Sequence, residues 1–162
     1  MIAKLIHEVK ALVRKTNSIV YLESVIPGIA AGDALDANDA IGDMFSFDLP
    51  CVSGWITGFK LIDPDDDTLA LTAHVFKERF TAAASDAAFT ISAADSRFWV
   101  TSATFSSVVD LGAAKVSEVV GETFFYSPTK KLWVQCSTTG TPNIAAGAMP
   151  ILQIGIKPAA EV

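Results

Sequence analysis

Histidine and cysteine are scarce in this chain, with two of each in 162 residues. Cys51 and Cys136 stand far apart and match no metal-ligand spacing such as CxxC, so neither a disulfide framework nor a thiolate metal site is indicated. Both are expected as buried free thiols, because cysteine is among the most buried residue types, and folding in a reducing compartment follows. His7 and His74 come without an HxH or HExxH pattern, and a catalytic zinc needs three protein ligands around an open position. His74 alternates with apolar positions and is expected as a partly buried strand residue. A GxSxG elbow, a Walker loop and a GxGxxG fingerprint are all missing. SPTK at 127–130 matches SxxK only by letters, since Pro128 makes it a turn and not the start of a catalytic helix. A dyad of Cys51 or Cys136 with His74 has no local support. The expectation is a protein without catalysis, cofactor or bound metal.

Long apolar runs are missing too, and none approaches the roughly 20 residues of a membrane-spanning helix. Lys4, Glu8, Lys10, Arg14 and Lys15 interrupt the first fifteen residues, which argues against a secretory signal. Charged residues make up only 19% against 51% for the apolar set, where about 25% charged is usual. Some of that apolar surplus is expected to face another chain. Of the net charge of −6, residues 1–15 carry +3 (four bases, one acid), leaving −9 on the remainder. So acidic a body offers no basic groove for nucleic acid. Lys4, Lys10, Arg14 and Lys15 are the candidate partner-binding residues, as an arm for an acidic surface or simply a solvated face.

Ile2, Leu5, Ile6, Val9, Leu12 and Val13 recur at spacings of three and four, as on an amphipathic helix, while Val9, Ala11 and Val13 also alternate as in an extended arm. SIVYLESVIPG then ends at Pro27-Gly28, a strong stop. The expected division is an N-terminal arm or helix over 1–28 and one domain over 29–162, with a solvated tail KPAAEV.

Beyond residue 28 the pattern changes to short apolar runs separated by turn residues. GDMFSFDLP sets Phe45, Phe47 and Leu49 on one face; SGWITGFKLID offers Trp55, Thr57, Phe59 and Leu61; TLALTAHVF offers Leu69, Leu71, Ala73 and Val75. Runs at 98–105, 121–128, 131–137 and 150–156 continue the series. Period-two alternation in so many β-branched and aromatic runs predicts an all-β protein, an antiparallel jelly-roll or β-sandwich with an N-terminal extension.

Two clusters invite chemistry. Asp63, Asp65, Asp66 and Asp67 in DPDDDT suit calcium by composition but lack the EF-hand order, and a strand connection needs the same residues. Trp55, Trp99 and Trp133 suit a sugar-stacking platform, yet their strand alternation is first read as core or subunit interface. Residues 80–98, FTAAASDAAFTISAADSRF, look helical by composition, but Phe80, Phe89, Ile91 and Phe98 keep no helical spacing. The expectation is an irregular connection with turns at Ser85-Asp86 and Ala94-Asp95, a short strand at 89–91 and a helical turn at 93–96.

The order of AAGDALDANDAIGDMFSFDLP, SGWITGFKLID, TLALTAHVFKERFTAAASDAAFTISAADSRFWVTSATF and KLWVQCSTTGTPNIAAGAMPILQIGI resembles a family of tailed-bacteriophage virion proteins, the jelly-roll cement or decoration proteins. The resemblance covers residues 29–156. It implies a protein on the capsid exterior, assembled in the host cytoplasm, often trimeric, that binds the major capsid protein and holds capsomers together. It brings no catalytic residues. A phage fibre or tail-associated jelly roll and a carbohydrate-binding β-sandwich are the alternatives.

Overall fold

The computed structural model describes residues 18–29, 35–64, 69–106, 108–141 and 149–159. Nine strands are found among them: β1 (Val20–Val25), β2 (Ala40–Asp48), β3 (Ser53–Asp63), β4 (Leu71–Phe76), β5 (Trp99–Phe105), β6 (Val109–Asp110), β7 (Lys115–Tyr126), β8 (Lys131–Thr138) and β9 (Ile151–Pro158). They form two sheets, ordered β1-β9-β3-β7-β6 and β2-β8-β4-β5. All neighbouring strands in these two sheets pair antiparallel. β1 with β9, β2 with β8, β3 with β7 and β4 with β5 are the four pairs of one long hairpin rolled across two sheets, which is a jelly roll.

The alternation seen in the sequence builds the core. Ile56, Phe59, Leu61, Phe125, Leu152, Ile154 and Ile156 point inward from the first sheet; Phe45, Phe47, Leu71, Ala73, Val75, Phe105, Leu132, Val134 and Cys136 meet them from the second. Each such large side chain stabilises by about 1.5–3 kcal/mol relative to exposure. The surface ion pairs Lys60–Glu118 and Lys131–Asp48, each at 2.6 Å, contribute about 0–1 kcal/mol apiece. Burial therefore decides the fold.

Several expectations shift. The boundary at residue 28 is not where the sheet begins: Val20–Val25 pairs with β9 along its whole length, because its alternation presents Leu22 to the core. β1 does end before Pro27-Gly28, and residues 1–17, including Lys4, Lys10, Arg14 and Lys15, lie outside the described residues. Trp55 and Thr57 do not share a face with Phe59 and Leu61. The register of β3 slips between Ile56 and Gly58, and this bulge puts Ile56, Phe59 and Leu61 inward and Trp55 outward. β7 starts at Lys115, six residues before the run that signalled it, and is preceded by the short β6.

At Gly42 the backbone takes φ of 68° where the register of β2 shifts, and a Cβ there would collide with the Pro27 carbonyl. Asp43 N–H donates to that same carbonyl at 2.7 Å, which ties the link from β1 down onto β2. Asp63 is buried at the end of β3, and its Oδ2 accepts from Leu69 N–H at 3.3 Å across the connection, so this aspartate serves the turn; residues 65–68 lie outside the described residues.

Residues 77–98, joining β4 to β5, are irregular and lie over the outer face of the second sheet. Phe80 packs on Phe76 at 4.0 Å between ring centroids, and Phe89 stacks on His74 at 4.2 Å. The Gln135 amide donates to Ala83 O at 2.6 Å and accepts from Ala83 N–H at 3.1 Å. Ala87 O accepts from Ala40 N–H, and Asp86 N–H donates to Ala40 O. The expected turns are present: Asp86 has φ of 64°, and the Asp95 carboxylate accepts from Thr81 N–H and Ser92 Oγ–H. The expected strand at 89–91 is replaced by a single bridge between Ala88 and Asp39, and the helical turn falls at Ser96–Phe98. A chain held to the sheet by separate anchors has no neighbour along which to form a ladder.

Candidate functional site

With the second sheet roofed by residues 77–98, the outer face of the first sheet is the bare one among the described residues. Register orders it into rows. Val25, Ile151, Ile62 and Val116 lie side by side as an apolar row. The next outward row is polar, Glu23, Gln153, Lys60 and Glu118, with Lys60 Nζ 2.6 Å from Glu118 Oε1. Then come Tyr21, Gly155, Gly58 and Val120, and after them Lys157, Trp55 and Phe124. Trp55 and Phe124 meet edge to face at 5.2 Å between centroids. Val120 is 87% exposed, Tyr21 64% and Phe124 51%, values that an isolated soluble domain does not normally gather on one face.

A groove of about 470 Å³ crosses this face, walled by Tyr21 and Val120 with Lys60, Glu118, Gln153 and Thr57 along it. Its floor is glycine for a steric reason. A Cβ on Gly155 would lie 2.6 Å from Thr57 Oγ1, and one on Gly58 2.9 Å from Val119 O. The bulge in β3 and these two glycines together make the hollow.

The groups read as candidate chemistry lie elsewhere. Cys136 is fully buried between the sheets, and burial pushes its thiol up to about 12. It faces the core opposite Ala73 of β4, whereas His74, the next residue on that strand, faces the roof, so the two do not form a dyad. Cys51 is half-buried in the link from β2 to β3 and forms no disulfide with Cys136. Ser127 is buried and donates to Lys131 O at 2.7 Å within the turn between β7 and β8, as expected for SPTK. Among the described residues no three His, Cys, Asp or Glu side chains gather closely enough to hold a metal. Of the two places expected for the tryptophans, core or subunit interface, the core is excluded. Trp55 and Trp99 are 39% and 52% exposed, and Trp133 is half-buried under the Arg79 guanidinium, because the inward positions of β8 belong to Leu132, Val134 and Cys136.

His74 is neutral for a structural reason. Its Nε2 lies 3.0 Å from Ser137 Oγ, its strand neighbours are Ser102 and Gln135, and Phe89 covers the ring. No charge faces it, and desolvation lowers its pKa from 6.5 to about 4. Since the folded pKa lies below the unfolded one, the unfolded chain binds the extra proton between these values. Stability is therefore lost as pH falls from 6.5 towards 4. The urea midpoint is expected to drop between pH 7 and pH 5, and His74→Gln, which can keep the bond to Ser137, should flatten that slope. An identical slope in the variant would show that other groups carry it.

The residues of the bare face, Tyr21, Lys60, Glu118, Val120, Phe124 and Gln153, were not singled out by sequence motifs. Their signal is weak but present: in VYLESV and TFFY apolar side chains occupy both phases of the alternation, so one phase must face outward. No family model matches this chain, nor does any curated protein or solved structure.

Proposed function

We propose that this protein is a virion structural protein, a cement or decoration protein that attaches to the exterior of a bacteriophage capsid and bridges neighbouring capsomers. The observation that carries the reading is the asymmetry of the sandwich. One sheet is covered by residues 77–98, and the other presents ordered apolar and aromatic rows to solvent. A rigid β-scaffold with one such face is suited to docking on another protein surface, with aromatic anchors surrounded by a polar row. Its partner in this reading is the major capsid protein; the phage resemblance and the low share of charged residues point the same way.

The purified protein, mixed with capsids that lack it, is expected to co-sediment in near-stoichiometric amounts. Val120→Asp, which places a carboxylate at the most exposed apolar position, should reduce occupancy at least tenfold without changing the unfolding midpoint. Wild-type protein left wholly in the supernatant would overturn the proposal. The groove favours one other reading. Tyr21 beside Gln153, Glu118 and Lys60 is an arrangement on which a sugar ring can stack and hydrogen bond. Glycan-array binding that is lost in Tyr21→Ala, without capsid co-sedimentation, would select it.

A further inference from the structure

We infer that β1 is an assembly edge, along which a second copy of this chain adds its own β1 antiparallel, joining two five-stranded sheets into one. The inference goes beyond capsid attachment and needs only the edge itself.

The jelly roll has four sheet edges among its described residues, and three are blunted. β6 is two residues long. β5 lies against β7 at the side of the sandwich, with Thr123 Oγ1 3.5 Å from Thr101 Oγ1. β2 carries a register shift, and its edge is filled by its own chain, with Ala40 bonded to residues 86 and 87 and Asp43 to Pro27. β1 is different. It runs six residues without a register shift, and VYLESV contains no proline, no lysine and no charge directed at the core. An edge of this kind is a template for another strand.

Hydrogen-bond geometry says which groups it offers. Ile26 N–H donates to Pro150 O, and the β1–β9 register keeps that phase, so even-numbered residues bond towards β9. The backbone groups of Tyr21, Glu23 and Val25 consequently point to the open edge, where the Val25 carbonyl meets only its neighbour's Ser24 hydroxyl at 3.0 Å.

Side chains then select the register. A twofold axis perpendicular to the sheet keeps both bare faces on one side. With the axis at Glu23, two glutamates would sit opposite each other, which is unfavourable. With the axis at Tyr21, Ile19 would face Glu23 of the second copy. With the axis at Leu22, Tyr21 faces Glu23 of the second copy and Ile19 faces Val25. On the inner side Leu22 meets Leu22, and Val20 meets Ser24. Of these three registers, this one alone sets the glutamate against neither another glutamate nor an aliphatic side chain, and it pairs Ile19 with Val25 and Leu22 with Leu22. Tyr21 and Glu23 of each copy then exchange backbone hydrogen bonds across the axis. The two grooves, each walled by Ile19 and Tyr21, become one continuous surface.

Sedimentation of the full chain at high micromolar concentration is expected to give twice the chain mass. In hydrogen exchange the amides of Tyr21, Glu23 and Val25 should be as protected as those of Leu22 and Ser24. Glu23→Pro removes an N–H that points away from β9, so it should abolish the dimer while leaving the β1–β9 ladder in place. Should that variant fail to fold, Leu22→Cys tests the register directly. The non-hydrogen-bonded pair brings its Cα atoms to about 4.5 Å, within disulfide reach, and mild oxidation should cross-link two chains. A monomer with alternating fast and slow amides along β1 would overturn the inference, as would a trimer by mass; either result leaves capsid co-sedimentation free to succeed or fail by itself.

Discussion

Replacing Phe125 with alanine is expected to destabilise the protein by about 3–5 kcal/mol, while the same change at its neighbour Phe124 should cost only about 1 kcal/mol. The two residues are adjacent in sequence and identical in chemistry. Strand geometry sends their side chains to opposite faces of β7. Phe125 is 2% exposed, and its ring lies over Gly54 of β3, where a Cβ would stand only 3.2 Å from it. Truncation leaves a cavity between two sheets held by their ladders, which cannot close over it. Phe124 is half exposed and meets Trp55 edge to face, so its removal forfeits one aromatic pair and little burial. For a domain whose total stability is about 5–15 kcal/mol, the first change is a large fraction and the second is not. Urea unfolding of both variants measures the difference. Equal losses would mean that the strand phase is wrong and that the face assigned to docking is core. Phe124→Ala should instead show its main effect as lost capsid occupancy.

The second large effect is expected at Gln135. This residue is fully buried although it points away from the core, because residues 77–98 pass over it, and its amide bonds both backbone groups of Ala83. Gln135→Leu keeps the volume and strands the Ala83 N–H and C=O beneath the roof. Leaving those two groups unsatisfied costs about 2–4 kcal/mol. The roof has a local alternative to global unfolding, which is to lift. Amides of Ala83, Asp86, Ala87 and Phe89 should then exchange faster, and His74, no longer covered by Phe89, should titrate nearer its ordinary value. Unchanged protection at those amides, together with an unchanged urea midpoint, would mean that the Gln135 amide does not hold the roof.

The fate of these two segments separates what is local from what is not. Alternation in GDMFSFDLP and TLALTAHVF names the inward residues correctly, because burial of one face is a property of the strand itself and period two records it. The all-β class, the buried Cys136 and the partly buried His74 are legible for the same reason. The candidate site is much less so. Its rows assemble residues from β1, β9, β3 and β7, which are distant in sequence, and only pairing puts Glu23, Gln153, Lys60 and Glu118 side by side. The outward turn of Trp55 depends on the slip between Ile56 and Gly58, set by how β3 fits two neighbours at once.

FTAAASDAAFTISAADSRF carries the same lesson. Its composition suggests a helix and its phenylalanine spacing argues against one, yet the short strand expected at 89–91 does not form either. The segment lies on the sheet through backbone hydrogen bonds to Gln135 and Ala40, partners that no local pattern names. By itself, then, the sequence determines the all-β class, the inward faces of β2 and β4 and the absence of familiar catalytic motifs, because each rests on local pattern. Only the tertiary structure decides which sheet is roofed, which is bare and which edge is open, because those depend on where strands far apart in the chain come to lie together.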